Sequence, residues 1–256
     1  MANTQRVDKN LFSGKHYLGK PADDKDKIIS RRIEILEQHP EFFNKTFSCI
    51  EVGCGEGATI TRLANKFDHS LGIDIFDYSH AFEEQKEKNN AANCSFIEID
   101  LEKEAPAEKF DRLISFEVIE HLKNEDSVKG YYDALKAGGM AAITVPNKWW
   151  IFETHGAKLP VLPWNRVPFF SWLPRFIHER YANARIYTIG RIKKLLEKHG
   201  FTVVDHCYVT APMDVLKEGS LKKFVTRYIF KNNTTRLPIL STSIFVIVQK
   251  KIQNEQ

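Results

Sequence analysis

Apolar and polar positions recur along this chain with two periods, and the switches between them mark out its elements. In "DDKDKIISRRIEILEQHP" the apolar Ile28, Ile29, Ile33, Ile35 and Leu36 return at roughly helical spacing until Pro40 closes the run, which predicts a leading helix. Short apolar runs from Phe47 to Val52, in "SLGIDIF", in "CSFIEID", in "FDRLISFEV" and in "MAAITVP" predict five strands. Helix-compatible stretches separate them: "ATITRLANKF", the charged and solvated "DYSHAFEEQKEKNNAAN", and a segment from about Glu120 to Lys136 that "AGG" breaks. Later, "TIGRIKKLLEKHGF" is an amphipathic helix stopped by Gly200, and "FTVVDHCYV" and "STSIFVIVQKK" supply two closing strands.

Strands that alternate with helices imply an α/β fold, a doubly wound parallel sheet covered on both faces. The last strand follows its predecessor without another expected helical crossover, so it should enter a seven-stranded sheet antiparallel. Residues 1–256 then form a single domain, interrupted at about 148–186 by an irregular insert.

Composition changes this picture little. The net charge of +4 comes from Lys and Arg spread along the chain, with no block long enough for a nucleic-acid arm. Cys49, Cys54, Cys94 and Cys207 form no CxxC pair and three of them lie in expected strands, which points away from zinc and disulfides and towards a reducing cytoplasm. The N-terminus has no apolar core of signal-peptide type, and no run is long enough to cross a bilayer, so the expectation is a cytoplasmic protein that at most sits on a membrane face.

The candidate chemistry begins at "CIEVGCGEGATI", Cys49 to Ile60, where a strand feeds three glycines at alternate positions. Residues without side chains let a ligand touch backbone, so Gly53 and Gly55 are candidate cofactor contacts. The same letters satisfy the dinucleotide fingerprint G-x-G-x-x-G/A, which leaves the cofactor open at this point. Asp74 ends the second strand 17 residues beyond Gly57, where an acid can accept from both hydroxyls of a ribose, with Ile75 beside it.

The succession "EVGCGEG", "GIDIF", "IEIDLE", "FDRLISFEVIEHL" and "LKAGGMAAITVPN" resembles, in order and spacing, the class I S-adenosylmethionine-dependent methyltransferases, closely over about residues 47–147 and loosely beyond. The resemblance implies a Rossmann-like fold and S-adenosylmethionine as cofactor. It also implies roles: Glu51 near the methionine amino end, Asp100 on the adenine amino group, the Leu101 amide beside the ring, and Phe116 on the pocket wall. An acid in front of the loop agrees, since it attracts an amine and repels a dinucleotide's phosphates.

"EVIEHL" places Glu117, Glu120 and His121 at i, i+3 and i+4 around a strand-to-helix corner, where two carboxylates and an imidazole could converge on Mg2+ or another divalent cation. Similar E-x-x-E-H segments bind metal in ubiquinone-pathway O-methyltransferases and in methyltransferases of the 3′ end of small RNAs; other relatives carry the letters without a metal.

The insert holds all four tryptophans of the chain, with Phe152, Phe169, Phe170 and Phe176, and Pro160, Pro163, Pro168 and Pro174 forbid one long helix. It follows the fifth strand, at the sheet edge where open α/β folds bind ligands, so it is expected to roof an acceptor site as a lid or substrate subdomain. Aromatics interleaved with Arg166, Arg175 and Arg180 suit an apolar small-molecule acceptor, phenolic, quinol or lipid-like, with peripheral membrane contact as one route to it. The competing reading is an oligomer interface. Candidate general bases are His155, ranked first, then His178, His121 and Glu117. Three functions stay open: small-molecule O-methylation; RNA-directed 2′-O-methylation, which lacks a continuous basic stripe to support nucleic acid; and a catalytically silent binding protein.

Overall fold

The computed structural model describes residues 26–157, 168–214 and 216–251. The helices are α1 (Lys27–Leu36), α2 (Ile60–Leu63), α3 (Ser79–Lys88), α4 (Lys129–Ala134), α5 (Arg175–Tyr181), α6 (Ile189–Lys198) and α7 (Ser220–Tyr228). The strands are β1 (Ser48–Val52), β2 (His69–Asp74), β3 (Cys94–Glu98), β4 (Phe110–Phe116), β5 (Leu135–Pro146), β6 (Phe201–Thr210), β7 (Thr234–Thr235) and β8 (Ser241–Lys250). They form one sheet in the order β3-β2-β1-β4-β5-β8-β6-β7.

The first five strands run parallel, and β8 inserts antiparallel between β5 and β6. The expected antiparallel closing strand is therefore present. The eighth strand, β7, is a two-residue addition at the outer edge of β6. Period-2 alternation splits the strands between two cores. Ile50, Val52, Leu113, Ile143 and Val246 face α4 and α6, while Cys49, Ile114, Ala142 and Phe245 face α1. A sheet buried on both faces explains why its strands read as nearly unbroken apolar runs.

Besides the eighth strand, two helical elements differ from expectation. The helix expected over Glu120–Lys136 is two 3-10 turns, Ile119–His121 and Glu125–Val128, followed by the short α4. The side chain of Asn124 accepts from the Asp126 amide and starts the chain afresh, and Leu135 already pairs with Phe110 in the sheet. The second is α7, a nine-residue helix in the connection between the closing strands. No helix among the described residues is long and apolar enough to cross a membrane.

Strand direction fixes where a site can lie. β1, β4 and β5 end at Val52, Phe116 and Pro146 on one sheet edge. Pairing of Pro146 with Ser243 and of Thr210 with Ser241 brings the start of β8 and the end of β6 to the same edge.

Candidate functional site

The glycine loop after β1 needs its glycines for shape. Gly53, Gly55 and Gly57 have φ of 70°, 51° and 83°, the left-handed region that costs side-chain-bearing residues. A Cβ on Gly53 would collide with Val118, and one on Gly57 would lie 2.5 Å from Phe82. Two carboxyls flank this loop. Glu51 is buried in β1 and accepts from the Ile60 amide at 3.0 Å; desolvation pushes its carboxyl up to about 8 against the hydrogen bonds that favour its charge. Asp74, at the end of β2, accepts from the Gly55 amide at 2.9 Å and the Phe76 amide at 3.2 Å, and burial raises it as well.

Ile75 stands exposed beside Asp74. Further along the edge, Asp100 accepts from the Glu102 amide at 3.0 Å and pairs with Lys103 at 2.7 Å, and Leu101 packs against the core beneath. Phe116 stacks near Phe245, ring centroids 5.8 Å apart, with the Arg32 guanidinium 5.6 Å from its ring.

A second group gathers where β4 ends. Glu117 has φ of 60°, a strained backbone for a side-chain-bearing residue, held by its amide donating to the Thr144 carbonyl at 3.0 Å. The turn that follows carries Glu120 and His121, and the buried Arg185 grips it by donating to the carbonyls of Leu122 and Lys123. His155 enters from the insert. Its Nε2 lies 3.5 Å from Glu120 Oε1 and 4.0 Å from Glu117 Oε2, and its ring centroid is 5.1 Å from that of His121. The His121 Nε2 is 3.9 Å from Glu120 Oε1. Glu120 is fully buried, and desolvation together with neighbouring Glu117 drives its carboxyl well above the usual carboxylate range.

The structure thus joins the turn after β4 to a residue of the insert: Glu120, His121 and His155 can each offer one ligand atom, all within 4.8 Å of one another. Glu117, expected among the ligands, instead pairs with Arg32 of α1 at 3.0 Å. His178 does not join the group; it is buried in α5, 2.6 Å from Glu153 Oε2, with its ring against Phe170. Glu153 also accepts from the His155 amide at 3.1 Å, so one carboxylate braces both histidines' segments. Sequence reasoning misses Arg32, Glu153 and Arg185. The one signal for Arg32 is a charged pair, Arg31 and Arg32, within the apolar periodicity of α1.

In the insert, Trp149, Phe169 and Trp172 form an exposed aromatic group, with Trp172 Nε1 donating to the Trp149 carbonyl at 3.2 Å, while Trp150 is buried against Phe230. Trp164, Arg166, Pro160 and Pro163 lie outside the described residues.

A methyltransferase-domain family model matches residues 6–206. The chain is 29% identical over 166 residues to malonyl-[acyl-carrier protein] O-methyltransferase 2 of Ilyobacter polytropus, a match covering 64% of this chain and 62% of that protein. It is 26% identical over 117 residues to the ubiquinone biosynthesis O-methyltransferase of Rickettsia felis, covering 45% and 48% respectively. The matches therefore span less than two thirds of these relatives' own length. The crystal structure of coclaurine N-methyltransferase bound to N-methylheliamine and SAH has the same fold, with a TM-score of 0.57 at 15% identity over 95% of this chain and 79% of that one.

Proposed function

The chain belongs to the class I S-adenosylmethionine-dependent methyltransferases, and on that premise we propose that it methylates an oxygen of a small apolar acceptor, phenolic, quinol or lipid-like. One observation carries the reading. The acid-flanked glycine loop and the His155 group lie on the same sheet edge, each built from strand ends, so donor and proton acceptor can face a common space.

The residues present fit the cofactor. The loop's left-handed glycines keep side chains out of a cradle, and the buried Glu51 and half-buried Asp74 carboxyls suit an amine and a vicinal diol. When bound, the cofactor supplies an electrophilic methyl group on a sulfonium. Gly53 and Gly55 would offer backbone, Glu51 would balance the methionine ammonium, and Asp74 with Ile75 would hold the ribose. Asp100 and Leu101 would meet the adenine, and Phe116 would wall the methionine end.

His155 is the proposed proton acceptor. Its Nε2 points to the carboxyls of Glu120 and Glu117, so the proton would be taken up at Nδ1, which lies 3.0 Å from Thr154 Oγ1. The Glu117 carboxylate, 4.0 Å from that Nε2, would stabilise the imidazolium formed when the acceptor hydroxyl loses its proton. His121 completes the group. The donor set of Glu120, His121 and His155 also suits a divalent cation, which would supply Lewis acidity to the acceptor. The aromatic insert at about 148–186 is proposed as the lid over the acceptor, within a single domain.

Calorimetry tests the cofactor: S-adenosylmethionine or S-adenosylhomocysteine should bind and NAD should not, and the reverse result sinks the reading. Turnover in excess chelator divides the two roles of the His155 group. Full loss with recovery on Mg2+ supports the cation, and unchanged turnover leaves His155 as the base alone.

A further inference from the structure

The connection between β6 and β8 carries a face that the methyl-transfer site does not use. α7 contains no buried residue. Leu221, Phe224 and Tyr228 are 67%, 55% and 66% exposed, and their i, i+3, i+7 spacing sets them in one row along the helix. Lys223 and Arg227, both exposed, form the neighbouring row at i, i+4. Rings of Phe224 and Tyr228 lie 5.0 Å apart, so the apolar row is continuous.

The helix is tied to the body behind this row. Val225 and Phe230 anchor α7 to a small cluster around Trp150 and Ala211, and Arg31 donates to the carbonyls of Thr210, Ala211 and Phe230 at 2.6, 2.8 and 2.5 Å. The apolar row is thereby held outward. Because β6 ends and β8 begins at the edge where β5 ends, the connection that carries α7 springs from the edge that holds the glycine loop and the His155 group.

Charge identifies the occupant. Between residues 217 and 236 there are six basic side chains, Lys217, Lys222, Lys223, Arg227, Lys231 and Arg236, and one acid, Glu218, an excess larger than the +4 of the whole chain. Lys222 pairs with Glu218 at 2.6 Å; the other five are exposed. An outward apolar row flanked by exposed bases matches a surface that is anionic at headgroup level and apolar just beneath.

We propose that α7 docks the catalytic edge onto an anionic lipid bilayer, with Leu221, Phe224 and Tyr228 entering the acyl boundary and Lys223, Arg227 and Lys231 meeting lipid phosphates. This deepens the apolar-acceptor reading and rests on it only for purpose: docking would open the site towards the phase where such an acceptor dissolves.

The full chain should co-sediment with vesicles of phosphatidylcholine plus phosphatidylglycerol, release in high salt, and stay free of vesicles of phosphatidylcholine alone. Lys223→Glu with Arg227→Glu, and separately Phe224→Ser with Tyr228→Ser, should each lower partitioning about tenfold or more, on the scale of about 1 kcal/mol per basic residue near such a surface. Calorimetric binding of S-adenosylhomocysteine should be unchanged in both variants. Hydrogen exchange on the unmodified chain gives a reading independent of any variant: vesicles should slow residues 220–231 selectively. No binding to anionic vesicles, protection confined to another surface, or a dimer in solution that the α7 variants split would each overturn the proposal. Failure of the unmodified chain to bind S-adenosylhomocysteine would instead overturn the methyltransferase reading and leave the vesicle result standing by itself.

Discussion

At the scale of single residues, the two carboxyls beside the glycine loop make different demands on a ligand and can be separated. Glu51 is raised to about 8, so the folded chain keeps its proton where an unfolded chain has released it. Between its ordinary value of 4.5 and about 8, each rise in pH therefore favours the unfolded chain, and above about 8 the loss levels off. Glu51→Gln keeps an acceptor for the Ile60 amide and should flatten this fall in melting temperature. A variant that keeps the wild-type slope would assign the titration to another group. If Glu51 meets the methionine ammonium, cofactor binding near neutral pH should expel its proton. Calorimetry in buffers of low and high ionisation enthalpy reads that proton directly, and Glu51→Gln should abolish the difference. Asp74 is the diol acceptor in this scheme, yet it also takes the Gly55 amide. Asp74→Asn keeps an acceptor for that amide while removing the charge, and should weaken S-adenosylhomocysteine by about 2 kcal/mol, the scale of a charged hydrogen bond.

At the scale of elements, what could be read from sequence depended on how local the cause was. The strands of the parallel sheet are buried on both faces, so each shows as an apolar run whatever its neighbours do. Asp74 and Glu117 were legible because each closes such a run. The expected helix over Glu120–Lys136 failed because a side-chain cap at Asn124 and pairing of Leu135 with Phe110 outweighed local propensity. The sequence does not mark α7 as a helix despite its Leu221, Phe224 and Tyr228 spacing, since nine residues between two strands read equally well as a connection. The approach of His155 to Glu120 and of Arg32 to Glu117 depends on tertiary placement, which no spacing encodes. α1 shows the consequence most clearly. Its adjacent arginines tie two distant parts together, Arg32 to Glu117 and Arg31 to three carbonyls around α7. Arg31→Met keeps the stem and removes the donors, leaving three carbonyls without their cation. Loss of roughly 3 kcal/mol of stability is expected in denaturant titration, from charged hydrogen bonds of about 1.5 kcal/mol or more each, partly regained from water. A loss under about 1 kcal/mol, less than one such bond, would mean that Val225 and Phe230 hold α7 unaided.

At the scale of the whole molecule, one sheet edge separates the work by position along the chain. Every proposed cofactor contact lies between Glu51 and Phe116, on or just after β1 to β4. The aromatic group of Trp149, Phe169 and Trp172 comes after β5, and its covered neighbour, Trp150, is tied through Phe230 to the connection that carries α7. A division of this kind allows acceptor binding to change while cofactor binding does not. Trp149→Ser with Trp172→Ser removes two half-exposed indoles that pack on each other and, through Trp172, on Phe169, so the body of the fold should survive. If these rings line the acceptor's path, the variant should show a raised KM for an apolar acceptor, since each ring can contribute about 1 kcal/mol or more of apolar contact. Its affinity for S-adenosylhomocysteine should equal that of the unmodified chain, because none of the proposed cofactor contacts comes from the insert. Light scattering completes the measurement. A change from dimer to monomer with acceptor kinetics intact would make the aromatics a subunit interface, and the lid would then have to be sought elsewhere on the edge.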